Sequence, residues 1–203
     1  GLSSTFQDDL RPHRPVRDVG NLTQKAALEL AEYAKSANLL EASIGMAALN
    51  SLLDIDENRC EELNAFEILA EKGKDKSIAI VGHYPFISKL KKLTRKLWVI
   101  EKRIQEGDYP EEEAKRILPQ ADLVVITGTS FINHTIEKLL ELCNESWVMV
   151  LGPTTPLSPI LFEYGVDMIA GSRVVEPEKV IHCISEGATF QQVKGIKHLI
   201  MKR

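Results

Sequence analysis

His83 stands where side-chain chemistry is easiest to place. It follows the apolar run Ile78-Ala79-Ile80-Val81 and sits inside Gly82-His83-Tyr84-Pro85-Phe86. An imidazole at the carboxyl edge of a sheet can ligate a metal, act as a general base or donate to an anion, or it can merely close the strand. A dinucleotide fold would place glycines here so that the backbone could approach a pyrophosphate; this chain has Tyr84 and Pro85 instead. Glu101 lies nineteen positions after Gly82, near the spacing at which an acid holds a cofactor ribose, so a nucleotide reading stays open beside that of a metal ligand. Thr127-Gly128-Thr129-Ser130 precedes a helical pattern containing Ile136 and Leu140, and its hydroxyls and amides suit phosphate or carboxylate. Ser130 and Asn133 are equally good helix caps. His134 is expected in the first helical turn, where the dipole disfavours a cationic ring and leaves it able to coordinate a metal. Gly152-Pro153-Thr154-Thr155-Pro156 reads as a stiff wall whose threonines face a ligand. Ser43, Gly45 and Asn50 form a small-residue helix face suited to close packing, with Asn50 directed toward a crevice.

The elements that would hold these residues follow a βαβ rhythm. Strands are predicted near 78–82, 97–101, 122–127, 147–151 and 167–171, with helix-length segments between them. Leu123-Val124-Val125-Ile126 and Val148-Met149-Val150-Leu151 are apolar on both faces, as strands covered by helices on each side must be. A doubly wound parallel sheet therefore spans 75–203, and its strand-end loops are expected to converge on one crevice. Upstream, 24–35, 39–53 and 61–72 show helical spacing, and Gly73-Lys74-Asp75-Lys76 forms a polar hinge. The chain thus divides into a mostly helical part, 1–74, and an α/β domain, 75–203. The segment before Thr23, with Pro12, Pro15 and Gly20, has no clear period, and the carboxyl end from Gln191 fits neither helix nor strand firmly. The basic run Lys89, Lys91, Lys92, Arg95 and Lys96 is expected on the solvated face of a helix.

Composition narrows the function classes. A chain of 203 residues with net charge −4 lacks the basic footprint of a nucleic-acid reader. Cys60, Cys143 and Cys183 are widely spaced and odd in number, which argues against a disulfide framework or thiolate zinc site and for a reducing cytoplasm. No apolar run approaches the ~18 residues of a membrane span, and no signal-peptide pattern opens the chain. A small acidic α/β protein of this kind is often a homodimer.

Five segments together carry a resemblance: Gly45-Met46-Ala47-Ala48-Leu49-Asn50, Gly82-His83-Tyr84-Pro85-Phe86, Leu118-Pro119-Gln120-Ala121-Asp122, Thr127-Gly128-Thr129-Ser130-Phe131-Ile132-Asn133-His134-Thr135 and Gly152-Pro153-Thr154-Thr155-Pro156-Leu157. In this order they resemble a prokaryotic family described as heavy-metal chelatases. The resemblance implies a Rossmann-like domain behind a part similar to the amino-terminal domain of enolases, with a site between them. It also implies a divalent transition metal and a small organic chelator or tetrapyrrole-like partner. Gly1-Leu2-Ser3-Ser4-Thr5 resembles a segment that family members carry after earlier strands, so the amino-terminal part is expected to be incomplete. On this reading His83, Glu101 and His134 are metal ligands and His83 and Glu101 the proton-handling pair. Thr127, Gly128, Thr129, Asn133, Pro153, Thr154 and Asn50 would hold the organic ligand. The rivals are a nucleotide or S-adenosylmethionine enzyme using Glu101 on a ribose, and a non-catalytic binding module.

Overall fold

The computed structural model describes residues 1–5 and 15–203; Pro12 lies outside the described residues. One seven-stranded sheet organises them: β1 (Cys60–Glu61), β2 (Ser77–Val81), β3 (Lys96–Ile100), β4 (Leu123–Thr127), β5 (Trp147–Leu151), β6 (Met168–Val174) and β7 (Ile196–Lys202). The order across the sheet is β1-β7-β6-β5-β4-β2-β3. The block from β3 to β6 is parallel, and β7 and β1 add antiparallel edges. The chain runs outward from β2 to β3 and then returns across β2 to lay down β4. The topological switch therefore falls between β2 and β4, where open α/β sheets form a ligand crevice.

Side chains alternate between two apolar layers. Val124, Ile126, Val148 and Val150 face Ile117, Leu118, Ile136, Leu139 and Phe162. Ile78, Ile80, Leu123, Val125 and Met149 face Leu69, Leu90 and the partly buried Phe66. The mixed α/β architecture follows, with both sheet faces covered. Carboxylates just before two strands hold amides at the start of the neighbouring strands. Asp122 Oδ2 accepts from Ser77 N at 2.7 Å and from Arg95 Nη2 at 3.0 Å, and Asp167 Oδ2 accepts from Val148 N at 2.8 Å. The five strands expected from apolar runs occur within a few residues of their positions. The basic run differs: helix Ile87–Leu90 ends early, Lys91–Leu93 form a turn, and Lys96 opens β3 with its ammonium 4.4 Å from the Trp98 ring centre. Pro85 and the stacked Tyr84–Phe86 pair form the turn that precedes this short helix.

The amino-terminal helix Leu39–Leu52 packs so closely on the preceding turn that a Cβ at Gly45 would lie 1.9 Å from Ala34 N. Its Glu41 is buried yet ionic. The carboxylate accepts from Arg17 N at 2.8 Å, Arg17 Nε at 2.9 Å and Ser36 Oγ at 2.7 Å. Ala42, Met46 and Ile132 form a small cluster joining this helix to the loop after β4. Among the described residues no helix is long and apolar enough to cross a membrane.

Candidate switch-point site

A cavity of about 260 Å³ opens at the switch point, lined by Gly82, His83, Glu101, Thr127, Thr129 and Asn133 among others. β2 brings His83 there through Gly82, whose φ of +108° is a conformation other residues rarely adopt. A Cβ at Gly82 would also approach the Thr127 Cβ to 2.9 Å. Gly82→Ala is therefore expected to cost about 2 kcal/mol of unfolding free energy and to displace the imidazole. Urea denaturation together with the His83 ring resonances in NMR would check both, and an unmoved ring with unchanged stability would refute the assignment.

The second arm comes from β3. An isolated parallel bridge joins Ile100 to Tyr109, with Tyr109 N donating to Val99 O at 2.7 Å and Glu101 N to Tyr109 O at 3.0 Å. This folds 102–108 back over the end of the strand and brings Asp108 Oδ1 to 3.9 Å from His83 Nε2. The Asp108 side chain is only 5% exposed, and its other oxygen accepts from Gln105 N. Sequence reasoning did not find Asp108, because an unpatterned loop hides the contact. Glu101 lines the same cavity, but its Oε1 accepts from Lys102 N at 2.7 Å and Arg103 N at 3.3 Å, so that oxygen already closes its own turn.

The third arm is the turn after β4. It continues as the short 3-10 helix Gly128–Phe131, with Thr127 Oγ1 accepting from Thr129 N at 3.4 Å and lying 3.0 Å from Thr129 Oγ1. Ser130 Oγ donates to Thr127 O. The hydroxyls are thus tied to one another and form a rigid polar ledge rather than an open nest of free amides. Asn133 Oδ1 accepts from Thr135 N and Thr135 Oγ1, capping the turn that leads to Ile136–Leu140. Behind the ledge, the Tyr84 hydroxyl donates to Leu151 O at 3.0 Å, and burial pushes this phenol's pKa well up.

Other residues singled out in the sequence lie elsewhere. His134 precedes helix Ile136–Leu140 rather than joining its first turn. It has φ +57°, its Nε2 lies 2.9 Å from Ser36 O, and it lines a different cavity, against the amino-terminal helices. The local reason is the Asn133 cap, which leaves His134 in the left-handed step before the helix starts. Asn50 Nδ2 donates to Leu2 O at 3.0 Å and Thr154 O at 3.1 Å, and Ser4 N donates to Thr154 Oγ1 at 2.9 Å. These bonds tie the amino-terminal part to the loop after β5. Pro153 opens onto another cavity, on the side of Tyr84 and Phe86. Gly128 is buried against Thr155, leaving no room for a side chain. The strand-end loops therefore serve more than one cavity, because Tyr84 reaches across the end of β4 and divides them.

Among the described residues no three His, Cys, Asp or Glu side chains gather as a set able to hold a metal ion. Burial pushes the Cys143 thiol up to about 12, which disfavours the thiolate a metal would need there. The donor set of the described residues does not fit a resident metal centre.

Comparison with known proteins agrees with the fold. Residues 64–201 match the DUF364 family and residues 1–53 the DUF4213 family, both described as "Putative heavy-metal chelation". An uncharacterised protein of Methanocaldococcus jannaschii is 26% identical over 203 residues, covering 96% of this chain and 78% of that protein. A crystal structure of a DUF364-family protein of unknown function from Desulfitobacterium hafniense gives a TM-score of 0.76 at 29% identity, covering 87% of this chain and 74% of that one. A DUF364-family structure from Pyrococcus horikoshii, also of unknown function, gives 0.79 at 22% identity over 96% and 79% of the two chains, a likeness of fold.

Proposed function

The chain belongs to the DUF364 family, and from that premise we propose that its switch-point cavity receives a divalent metal as cargo, already partly held by a small carboxylate-bearing chelator. The observation that carries this reading is the convergence of His83, Glu101 and the Thr127–Thr129 ledge on one cavity. One imidazole and one half-engaged carboxylate can complete a coordination sphere begun by an organic ligand, although they cannot build one alone. The ledge hydroxyls suit the chelator's oxygens. His83 is the proton acceptor when a chelating group must be deprotonated to take the metal, and the Asp108 carboxylate stands beside its ring at 3.9 Å. Glu101 keeps Oε2 for the cargo or for passing the proton onward. At about 260 Å³ the cavity suits a compact polyacid or one lobe of a larger chelator.

Thermal unfolding tests this directly. With Co²⁺, Ni²⁺ or Zn²⁺ plus citrate at a hundredfold excess over Kd, the midpoint is expected to rise by roughly 5–10 °C. The rise should exceed that with either component alone. His83→Ala should abolish it and Asp108→Asn should reduce it. An equal rise in His83→Ala would sink the reading.

A second reading draws on the position of Glu101. It directly follows the strand paired with β2 in parallel, where a ribose-binding acid stands in dinucleotide folds. Against it, Tyr84 and Pro85 fill the turn in place of phosphate-binding glycines, and Glu101 Oε1 is committed to backbone amides. Stabilisation by ATP or S-adenosylmethionine that disappears in Glu101→Gln, with no response to metal chelates, would favour this reading.

A further inference from the structure

A chain with six Phe, four Tyr and two Trp residues gathers Phe66, Tyr84, Phe86 and Phe190 around a second cavity of about 600 Å³. It lies over the carboxyl ends of the central strands, on the face covered by helix Ala65–Lys72. All four rings are only partly buried, so each presents carbon surface to the cavity. Tyr84 and Phe86 stack with centres 5.2 Å apart at 10°, and Phe66 continues the array 5.8 Å from Phe86. Phe190 adds a separate ring in edge contact with His198 at 5.4 Å.

The charged groups at the rim already have partners. Lys197 pairs with Glu57 and Glu62 at 3.4 and 3.5 Å, Arg173 pairs with Glu57, and the Asn64 side chain accepts from Phe66 N at 3.0 Å. The rim charges are thus matched locally, and the remaining lining is mostly aromatic and aliphatic, with Gln191 and His198 as its polar side chains. A volume of this size lies within the range of small-molecule sites, which are characteristically apolar with few polar anchors. Flat aromatic walls favour a flat ligand, because offset stacking adds to the burial of its faces.

We propose that this cavity is a binding site for an uncharged, planar aromatic molecule of two to three fused or linked rings. The ligand stacks on the Tyr84–Phe86–Phe66 array and makes contact with Phe190. The site uses neither His83 nor Glu101, so it stands apart from the metal reading.

The probe is N-phenyl-1-naphthylamine, a neutral dye that links a flat naphthyl ring system to a phenyl ring and whose emission rises in an apolar site, titrated into the metal-free protein. The expected result is saturable binding at one dye per chain, weakened at least tenfold by Phe86→Ala and by Phe190→Ala. Phe190 lies on the short turn Phe190–Gln192, outside the apolar layers of the sheet, so its variant decides the matter should Phe86→Ala fail to fold. Ile181→Ser removes an apolar side chain 67% exposed on helix Pro177–Ser185 and should leave the titration unchanged. Absence of saturation, more than one dye per chain, wild-type affinity in Phe190→Ala, or loss of binding in Ile181→Ser would each overturn the proposal.

Discussion

Gly128→Ala is expected to lower unfolding stability by about 3 kcal/mol, the upper end of the usual cost of overpacking. The added Cβ would lie 2.5 Å from Thr155 Oγ1 and 2.6 Å from Thr155 N. A flexible side chain could swing away, but a backbone amide cannot. Thr154 and Thr155 are fully buried, and Thr154 is held through its hydroxyl by Ser4 and through its carbonyl by Asn50. Relief must therefore come from moving the whole loop after β5, which would loosen the amino-terminal part as well. Urea denaturation should show a lower midpoint, and hydrogen exchange should show lost protection in Leu39–Leu52. Stability within 0.5 kcal/mol of wild type would mean that the two loops can separate at little cost.

Glu41→Ala has the second-largest expected effect, about 2–3 kcal/mol at neutral pH, because it removes the acceptor for three donors, one of them charged. Arg17 is 59% exposed and regains water, which keeps the loss below that of a fully buried pair. Burial alone would raise the Glu41 pKa. The Ser36 hydroxyl and the Arg17 amide and guanidinium outweigh it, so the folded-state value lies below the usual carboxylate range. A depressed folded-state pKa makes the stabilisation complete above the unfolded value, near ~4.3. It is lost as pH falls through the folded value. The difference in urea midpoint between wild type and Glu41→Ala should therefore be largest at neutral pH and shrink as the pH drops below about 4. A difference independent of pH would assign the loss to packing alone.

How legible these features were depended on whether the signal was local. Strands β2 to β6 announce themselves because a strand buried on both faces needs an unbroken apolar run, and Leu123–Ile126 or Val148–Leu151 has few alternatives. β7 was not legible: Ile196-Lys197-His198-Leu199-Ile200-Met201-Lys202 mixes two periods, and its burial comes from pairing with β6 at one edge. β1 spans two residues, too few for any pattern. In the candidate site, His83, Glu101, Thr127, Thr129 and Asn133 could be listed from strand-end positions alone, since parallel strands must deliver their carboxyl ends to one rim. Asp108 could not, because only the Ile100–Tyr109 bridge turns its loop back toward His83. Asn50 and Thr154 looked like ligand contacts because polar residues in small-residue or proline-rich segments suit both ligand binding and tethering between chain segments. The bond from Asn50 to Thr154 spans 104 positions and becomes visible only in three dimensions. Nothing in the sequence marks Glu41 as a buried ion, because its partners, Arg17 and Ser36, lie outside the helical periods.

The central claim is that His83 and the Thr127–Thr129 ledge face a single ligand. An NMR titration of uniformly ¹⁵N-labelled protein with zinc citrate tests it most directly. The account predicts that the His83 ring nitrogens and the Thr127, Gly128 and Thr129 amides shift together along one saturation curve, while the rings of His134, His182 and His198 stay in place. Shifts at His134 or His182 with His83 unmoved, or shifts at His83 and the ledge that saturate separately, would contradict it.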